Sequence, residues 1–135
     1  MKADFTASCS KQSLAGIRDF VSGQLRAFEV EESLAHQLVL AVDEACANSI
    51  IHHHGCDGSS SIQICLVKAP GSLIIELIDQ GNPFPIDAYQ PKEIEEIIRN
   101  RTKGGLGILL INKIMDKIEV LKRERDFVYR FTKNL

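Results

Sequence analysis

The stretch Val42-Asp43-Glu44-Ala45-Cys46-Ala47-Asn48-Ser49-Ile50-Ile51-His52 decides how the rest of the chain is interpreted. It belongs to a run from Leu34 to Ile51 without glycine or proline, which predicts one long helix. Apolar residues are so frequent after Leu38 that we expect this helix to be buried on most sides. Glu44 and Asn48 lie one turn apart on one side of it, and a carboxylate in apolar surroundings needs a compensating partner. From this stretch alone, a glutamate bonded to a neighbour at the rim of the helix is as good an interpretation as a functional one.

Composition limits the classes of protein to consider. The chain has 135 residues, of which 44% are hydrophobic and 25% charged, so we expect one domain spanning residues 1–135 with a real core. A net charge of -2 without a long basic run argues against direct nucleic-acid binding. No apolar segment approaches membrane-spanning length, and no signal-peptide core follows Met1. The four cysteines lack Cys-x-x-Cys spacing, so we expect a cytoplasmic protein in which Cys46 and Cys65 are packed thiols.

The N-terminal part of the sequence predicts a strand followed by an amphipathic helix. The strand covers Asp4 to Cys9, and the helix runs from Leu14 to about Phe28 with apolar residues at three- and four-residue steps. Ser10 or Ser13 is the predicted cap of this helix. Its charged face, which carries Arg18, Asp19 and Arg26, is predicted to be solvated, with a partner-binding surface as the alternative.

After the long helix, the sequence predicts two strands joined by a turn. The first covers Ser61 to Val67 and the second Leu73 to Asp79. The alternation of the second strand places Glu76 on the solvent side and Asp79 on the core side. A core-side carboxylate at a strand end is a candidate for a specific hydrogen bond, although a turn-initiating aspartate is the common alternative.

The C-terminal half contains a glycine-rich turn between a long connection and a hairpin. Residues Phe84 to Thr102 are interrupted by prolines and are predicted to form a lid. Lys103-Gly104-Gly105-Leu106-Gly107 then leads into a predicted helix, where free backbone N–H groups can bind an anion. Strands at Lys117–Lys122 and Phe127–Thr132 are predicted to form the final hairpin. His52-His53-His54 is not predicted to be a metal site, because adjacent helical side chains point in different directions.

Taken in order, these motifs resemble the GHKL ATPase superfamily, which includes gyrase, histidine kinases and MutL. Glu44-x-x-x-Asn48 is similar to its N box, Asp79-x-Gly81-x-Pro83 to its first glycine box, and Lys103-Gly104-Gly105-Leu106-Gly107 to its second. The run from Glu44 to His52 resembles the E-x-x-x-N-x-x-x-H stretch of the bacterial anti-sigma factor and serine-protein kinase family. The resemblance covers roughly Val30 to Leu135.

The resemblance implies a fold and a set of roles. The fold is an α/β (α+β) two-layer sandwich, the Bergerat ATP-binding fold, in which helices cover one face of a mixed, mostly antiparallel sheet. Glu44 would be the catalytic base, and Asn48 would bind Mg²⁺. Asp79 would accept a hydrogen bond from the adenine amino group, and Gly81 would let the base approach the backbone. The remaining residues of the two glycine boxes would complete the nucleotide site. Gly105 and Gly107 would cradle the phosphates, and Lys103 would add a positive charge. Pro83, Gly104 and Leu106 belong to the same motifs.

The resemblance further implies ATP and Mg²⁺ as cofactors and a STAS-domain anti-anti-sigma factor as the protein substrate. A sigma factor and a second copy of the chain are the other implied partners, with neither direct nucleic-acid nor membrane contact. The leading hypothesis is therefore an anti-sigma serine kinase. The alternatives are an ATP-dependent binding switch without kinase chemistry, a detached histidine-kinase catalytic domain, and a purely structural domain that binds no nucleotide.

Overall fold

The computed structural model describes residues 2–8, 10, 12–48, 61–79, 111, 113–123 and 126–135. These residues form two helices and five strands, and no helix among them is long and apolar enough to cross a membrane. In chain order the elements are β1 (Lys2–Ser8), α1 (Ser13–Ala27), α2 (Glu32–Asn48), β2 (Ser61–Ala69), β3 (Ser72–Asp79), β4 (Lys117–Arg123) and β5 (Asp126–Asn134). The predicted first strand, the two helices α1 and α2, the strand pair and the final hairpin are thus confirmed, with several boundaries shifted by a few residues. Residues 49–51 of the predicted long helix lie outside the described residues.

The five strands form one sheet in the order β1-β2-β3-β5-β4. The predicted α/β sandwich is confirmed. All four strand pairings are antiparallel, so the predicted mixed sheet is not found among the described strands. The reason is that β5 lies between β3 and β4. The last hairpin makes β4 run in the same direction as β3, but the two strands do not pair with each other.

Both helices pack on one face of this sheet and enclose the core. Helix α1 buries Ile17, Val21 and Leu25 completely, as expected from their spacing. Strands contribute every second residue, because successive side chains alternate between faces. The buried core residues of the sheet are Ile62, Ile64, Leu66, Leu73, Ile75, Leu77, Ile118, Val120, Tyr129 and Phe131.

The opposite face of the sheet carries a charged pair at its centre. Glu76 is in register with Arg130 on β5, and the Arg130 Nε and Nη2 atoms both lie 2.8 Å from Glu76 Oε2. The predicted orientation of Glu76 away from the core is confirmed. Its side chain is nevertheless only 14% exposed, so the carboxylate is held by the arginine rather than freely solvated.

The direction of α1 is fixed by a contact with the sheet. Lys68, near the end of β2, donates a hydrogen bond of 2.8 Å from Nζ to the backbone carbonyl of Phe28, the C-cap of α1. A lysine suits this position because the last carbonyls of a helix are unsatisfied and carry partial negative charge. Lys68 pairs with Leu73 at the start of β3, whereas Asp79 is the last residue of β3. Helix α1 therefore ends near the end of the strands that is opposite to Asp79.

The turn between the helices places Glu29 in a left-handed conformation, with φ at 61°. The Glu29 N–H donates to the Arg26 carbonyl, and the Val30 N–H donates to the Leu25 carbonyl, each at 3.0 Å. This is the hydrogen-bond pattern of a Schellman motif, in which glycine is the favoured residue at the left-handed position. A glutamate there carries both a steric cost and an unfavourable charge at the helix C-terminus.

Glu29→Gly is therefore expected to stabilise the fold by about 0.5–1 kcal/mol, because glycine adopts the left-handed conformation without the steric cost of a Cβ atom. Urea-induced unfolding would measure the difference. Glu29→Ala removes the charge but keeps the Cβ atom, so its stability should remain below that of the glycine variant. Equal stability of the two variants would contradict the steric explanation.

The start of α1 differs from the prediction. Neither Ser10 nor Ser13 caps α1; its N-cap is Gln12, and no side-chain capping hydrogen bond forms there. The two serine hydroxyls bond to each other at 3.1 Å instead. In α2 the cap is Glu31, whose carboxylate accepts hydrogen bonds of 3.0 Å from the N–H groups of Ser33 and Leu34. These two hydrogen bonds hold the pKa of Glu31 below its usual value of 4.5. Desolvation raises the pKa in part, and the charge of His36 lowers it slightly further.

Glu31→Gln should lower the free energy of unfolding at neutral pH, because it removes the negative charge from the N-terminus of α2. A carboxyl whose folded-state pKa is depressed stabilises the fold above its unfolded-state pKa, and that contribution is lost as the pH falls through the folded-state value. The difference from wild type should therefore shrink below pH 4.5. Urea unfolding across this range would measure it. Glu32→Gln removes the same charge one residue away and is the matched control.

Candidate functional site

The side of α2 that carries Glu44 and Asn48 is the first part of the site. The buried residues of this helix, Leu38, Ala41, Val42, Ala45 and Cys46, form a single face. Leu40 is 46% exposed and Glu44 is partly exposed, so the expectation of a helix buried on most sides is wrong. The apolar residues after Leu38 are numerous but small, and one face is enough to bury most of them.

The position of α2 brings its C-terminal end to the Asp79 end of the sheet. Arg18, early in α1, donates a 2.9 Å hydrogen bond from Nη1 to Oδ1 of Asp43, late in α2, so the two helices run in opposite directions. Helix α1 starts next to Ser8, which pairs with Ser61 at the start of β2. Helix α2 therefore returns to this end of the molecule, and Glu44 and Asn48 arrive in its last two turns.

Asp79 is the final residue of β3, the central strand. Its backbone pairs with Ile62 of β2 and with Phe127 of β5. Ile62 is fully buried in the core under the helices. Sequence position and register therefore place the start of the first glycine box at the same end of the domain as the end of α2.

The other predicted site residues lie outside the described residues. This applies to both glycine boxes beyond Asp79, to the lid between them and to the three histidines after α2. These residues are Gly81, Pro83, Lys103, Gly104, Gly105, Leu106, Gly107 and His52–His54. The segment that follows the second box is partly described: Ile111, Ile114 and Met115 are buried in the core, and the Met115 N–H donates to the Ile111 carbonyl at 2.9 Å. A helical turn between Ile111 and Met115 is thus anchored in the core.

Cys46 lies between the two N-box residues in sequence but belongs to the core. It is fully buried, and burial, followed by the negative charge of Asp43, raises the pKa of its thiol far above the ordinary value. Cys65 is also a buried thiol. The prediction that both cysteines are packed thiols is confirmed. A protonated thiol of this kind is a poor nucleophile, so Cys46 contributes packing rather than chemistry.

The Arg18–Asp43 pair was missed by sequence reasoning. The sequence predicts a solvated Arg18 and indicates no partner for Asp43. The two residues are 25 positions apart, and no local pattern connects them. The helical positions of the two residues could have indicated the pair, because each borders the apolar face of its own helix and the two carry opposite charges.

Comparison with known proteins shows the family of the chain. Residues 7–132 match the family model described as "Histidine kinase-like ATPase domain". The chain belongs to this family. Its sequence is 29% identical over 136 residues to the serine-protein kinase RsbW of Halalkalibacterium halodurans, an alignment that covers 98% of the chain and 82% of that relative. Alignments with several other RsbW kinases span only 54–55% of their length. The resemblance to the anti-sigma factor and serine kinase group of GHKL proteins is confirmed.

Two solved structures show the same fold. The RsbU and RsbW domains of a Mycobacterium tuberculosis protein match with a TM-score of 0.69 and 14% identity, covering 100% of this chain and 32% of that one. A structure of the SiaB-SiaC complex from Pseudomonas aeruginosa matches with a TM-score of 0.66 and 15% identity, covering 98% and 88% of the two chains. At this identity the likeness concerns the fold, which is that of an ATPase domain with helices on one face of an antiparallel sheet.

Asp79→Asn should abolish or strongly weaken nucleotide binding while the fold remains, because the amide nitrogen presents a donor where a carboxylate would accept the adenine amino hydrogen. Titration calorimetry with ATP and ADP, with and without Mg²⁺, would measure the loss. Asp116→Asn is a suitable control, because Asp116 lies just before β4 and pairs with Lys133 outside the N box and glycine boxes. Equal nucleotide affinity in wild type and Asp79→Asn would remove Asp79 from the site.

Proposed function

We propose that the chain is an ATP-binding anti-sigma factor with protein serine kinase activity. It would phosphorylate a STAS-domain anti-anti-sigma factor and sequester a sigma factor. The observation that carries the proposal is the convergence of the N box and the start of the first glycine box: Glu44 and Asn48 end α2 at the same end of the domain at which Asp79 ends β3. The serine-protein kinases among its relatives support the same activity.

In this proposal the nucleotide lies against the end of β3 and α2. Asp79 would accept a hydrogen bond from the exocyclic amino group of adenine, and Gly81 would let the base approach the backbone. Gly105 and Gly107 would present backbone N–H groups to the phosphates, and Lys103 would add a positive charge. The core contacts of Ile111, Ile114 and Met115 support this placement, because they anchor the segment that follows the second glycine box.

Asn48 is the proposed Mg²⁺ ligand. A side-chain amide oxygen is a hard donor of the kind that this ion prefers, and Glu44, one turn earlier on the same side of α2, supplies a nearby carboxylate. The donor set therefore fits a magnesium–nucleotide complex. The ion would neutralise phosphate charge during the transfer, as in other phosphoryl-transfer enzymes.

Glu44 is the proposed general base. The serine hydroxyl of the protein substrate would lose its proton to the Glu44 carboxylate while its oxygen forms a bond to the γ-phosphorus of ATP. The bond between that phosphorus and the oxygen bridging it to the β-phosphate would break, which yields phosphoserine and ADP. The partial exposure of Glu44 suits this role, because the hydroxyl of a separate protein has to reach the carboxylate.

The proposal also includes three protein partners. A STAS-domain protein is the proposed substrate and a sigma factor the proposed target, and two copies of the chain would form a homodimer. One ATPase domain would occupy residues 1–135.

Glu44→Gln should reduce phosphate transfer to a STAS-domain substrate by about two to four orders of magnitude, because the amide cannot accept the proton. ATP affinity should change little. Radiolabelled ATP, the purified chain and STAS-domain proteins from the same genome would provide the assay, with calorimetry to measure ATP binding. Glu32→Gln, at the start of the same helix, is the matched control and should remain active.

Two outcomes would contradict parts of the proposal. If wild type binds ATP and regulates a partner but transfers no phosphate, the chain is a nucleotide-dependent switch and Glu44 has no role as a base. If the folded wild-type chain binds no nucleotide, the ATPase proposal itself fails.

A further inference from the structure

The contact between Arg18 and Asp43 joins the two helices close to the N box. The Nη1 atom of Arg18 lies 2.9 Å from Oδ1 of Asp43, and the side chains are 45% and 21% exposed, respectively. An ion pair this exposed contributes little to overall stability, because water and salt screen it. Its location suggests a different role: Asp43 directly precedes Glu44 in the sequence.

The two ends of this contact are attached to the fold with different strength. Arg18 follows Ile17, which is completely buried, and α1 is further seated by the fully buried Val21 and Leu25. In the last turns of α2, by contrast, the buried side chains are mostly small, namely Ala41, Val42, Ala45 and Cys46. Small side chains interlock less deeply with a sheet than leucine or isoleucine, so they restrain rotation of the helix about its own axis less well.

Asp43 and Glu44 lie on opposite flanks of the buried face of α2. Residues in a helix are separated by about 100° of rotation, so Asp43 falls on the flank that faces α1, near Val39 and His36. Glu44 falls on the other flank, with Asn48 one turn further along. A hydrogen bond that holds one flank against α1 therefore also fixes the direction in which the other flank points.

We propose that Arg18 is a positioning residue that, by binding Asp43, fixes the rotation of α2 and so aims Glu44 toward the proposed nucleotide site. This inference rests on the proposed kinase function, which it deepens. Arg18 does not touch substrate in this scheme. Its effect on the reaction passes through Asp43 and the helix backbone, and phosphoryl transfer is sensitive to such placement because it depends mainly on positioning.

Arg18→Met and Asp43→Asn test the proposal, since both keep the bulk of the side chain and remove the charge. Each should lower kcat for phosphate transfer roughly ten-fold, as expected for a slightly misplaced base, with less than about a two-fold change in the KM for ATP. The urea midpoint should stay close to that of wild type. The exchanged pair Arg18→Asp with Asp43→Arg should recover much of the lost kcat, and Arg26→Met, two turns along α1, should leave kcat unchanged.

A second readout does not require kinase activity. Amide hydrogen exchange at residues 44–48 reports how firmly the end of α2 is held. Exchange there should quicken in both single variants and return toward wild type in the exchanged pair, while the amides of α1 stay protected. If the wild-type chain transfers no phosphate, the kinase proposal fails, and this measurement alone decides whether the ion pair orders the N box.

Three results would overturn the inference. Unchanged kcat and unchanged exchange in both single variants would make the pair an ordinary surface contact. A loss of kcat without recovery in the exchanged pair would assign the effect to one residue alone. A fall in the urea midpoint that accounts for the whole loss of activity would make the contact structural.

Discussion

The packing of α1 and α2 on a single face of the sheet is the constraint on which the rest of the structure depends. It is produced by the burial of apolar side chains from every second strand residue and from one face of each helix. Lys68 then sets the direction of α1 by binding its last carbonyl, and the short turn at Glu29 reverses the chain into α2. Because of this reversal, the polar end of α2 reaches the end of β3, where Asp79 lies. The candidate site is thus a consequence of helix direction as much as of its own residues.

Two of the ion pairs among the described residues lie at the boundaries of the apolar layer. Glu76 and Arg130 pair on the sheet face opposite to the helices, and Arg18 and Asp43 pair across the two helices. Neither pair replaces hydrophobic burial as the source of stability, because partly exposed ion pairs are screened by water. They add direction, since a hydrogen-bonded pair is restricted in distance and angle, whereas apolar contact alone tolerates sliding and rotation.

One side of helix α2 packs into the core, and the other side is open. Its buried face is formed by Leu38, Ala41, Val42, Ala45 and Cys46, and Glu44 lies partly exposed on its open side. This arrangement explains why a helix that reads as almost continuously apolar can still expose a carboxylate. The expectation of a helix buried on most sides is wrong for the same reason, because the number of apolar residues in a helix does not reveal how many of its sides are covered.

The sequence by itself determined the elements and the motif order. Periods of two and of three to four residues predicted the strands and helices, because alternation and helical pitch are local properties of the backbone. It also placed Glu44, Asn48 and Asp79 in recognisable motifs, and it predicted Cys46 and Cys65 as packed thiols. Only the tertiary structure decided that β5 separates β3 from β4, that Ser10 and Ser13 bond to each other rather than cap α1, and that Arg18 binds Asp43. These features join residues through space or through competing hydrogen bonds, and no local pattern along the chain encodes which partner will be nearest once the core has formed.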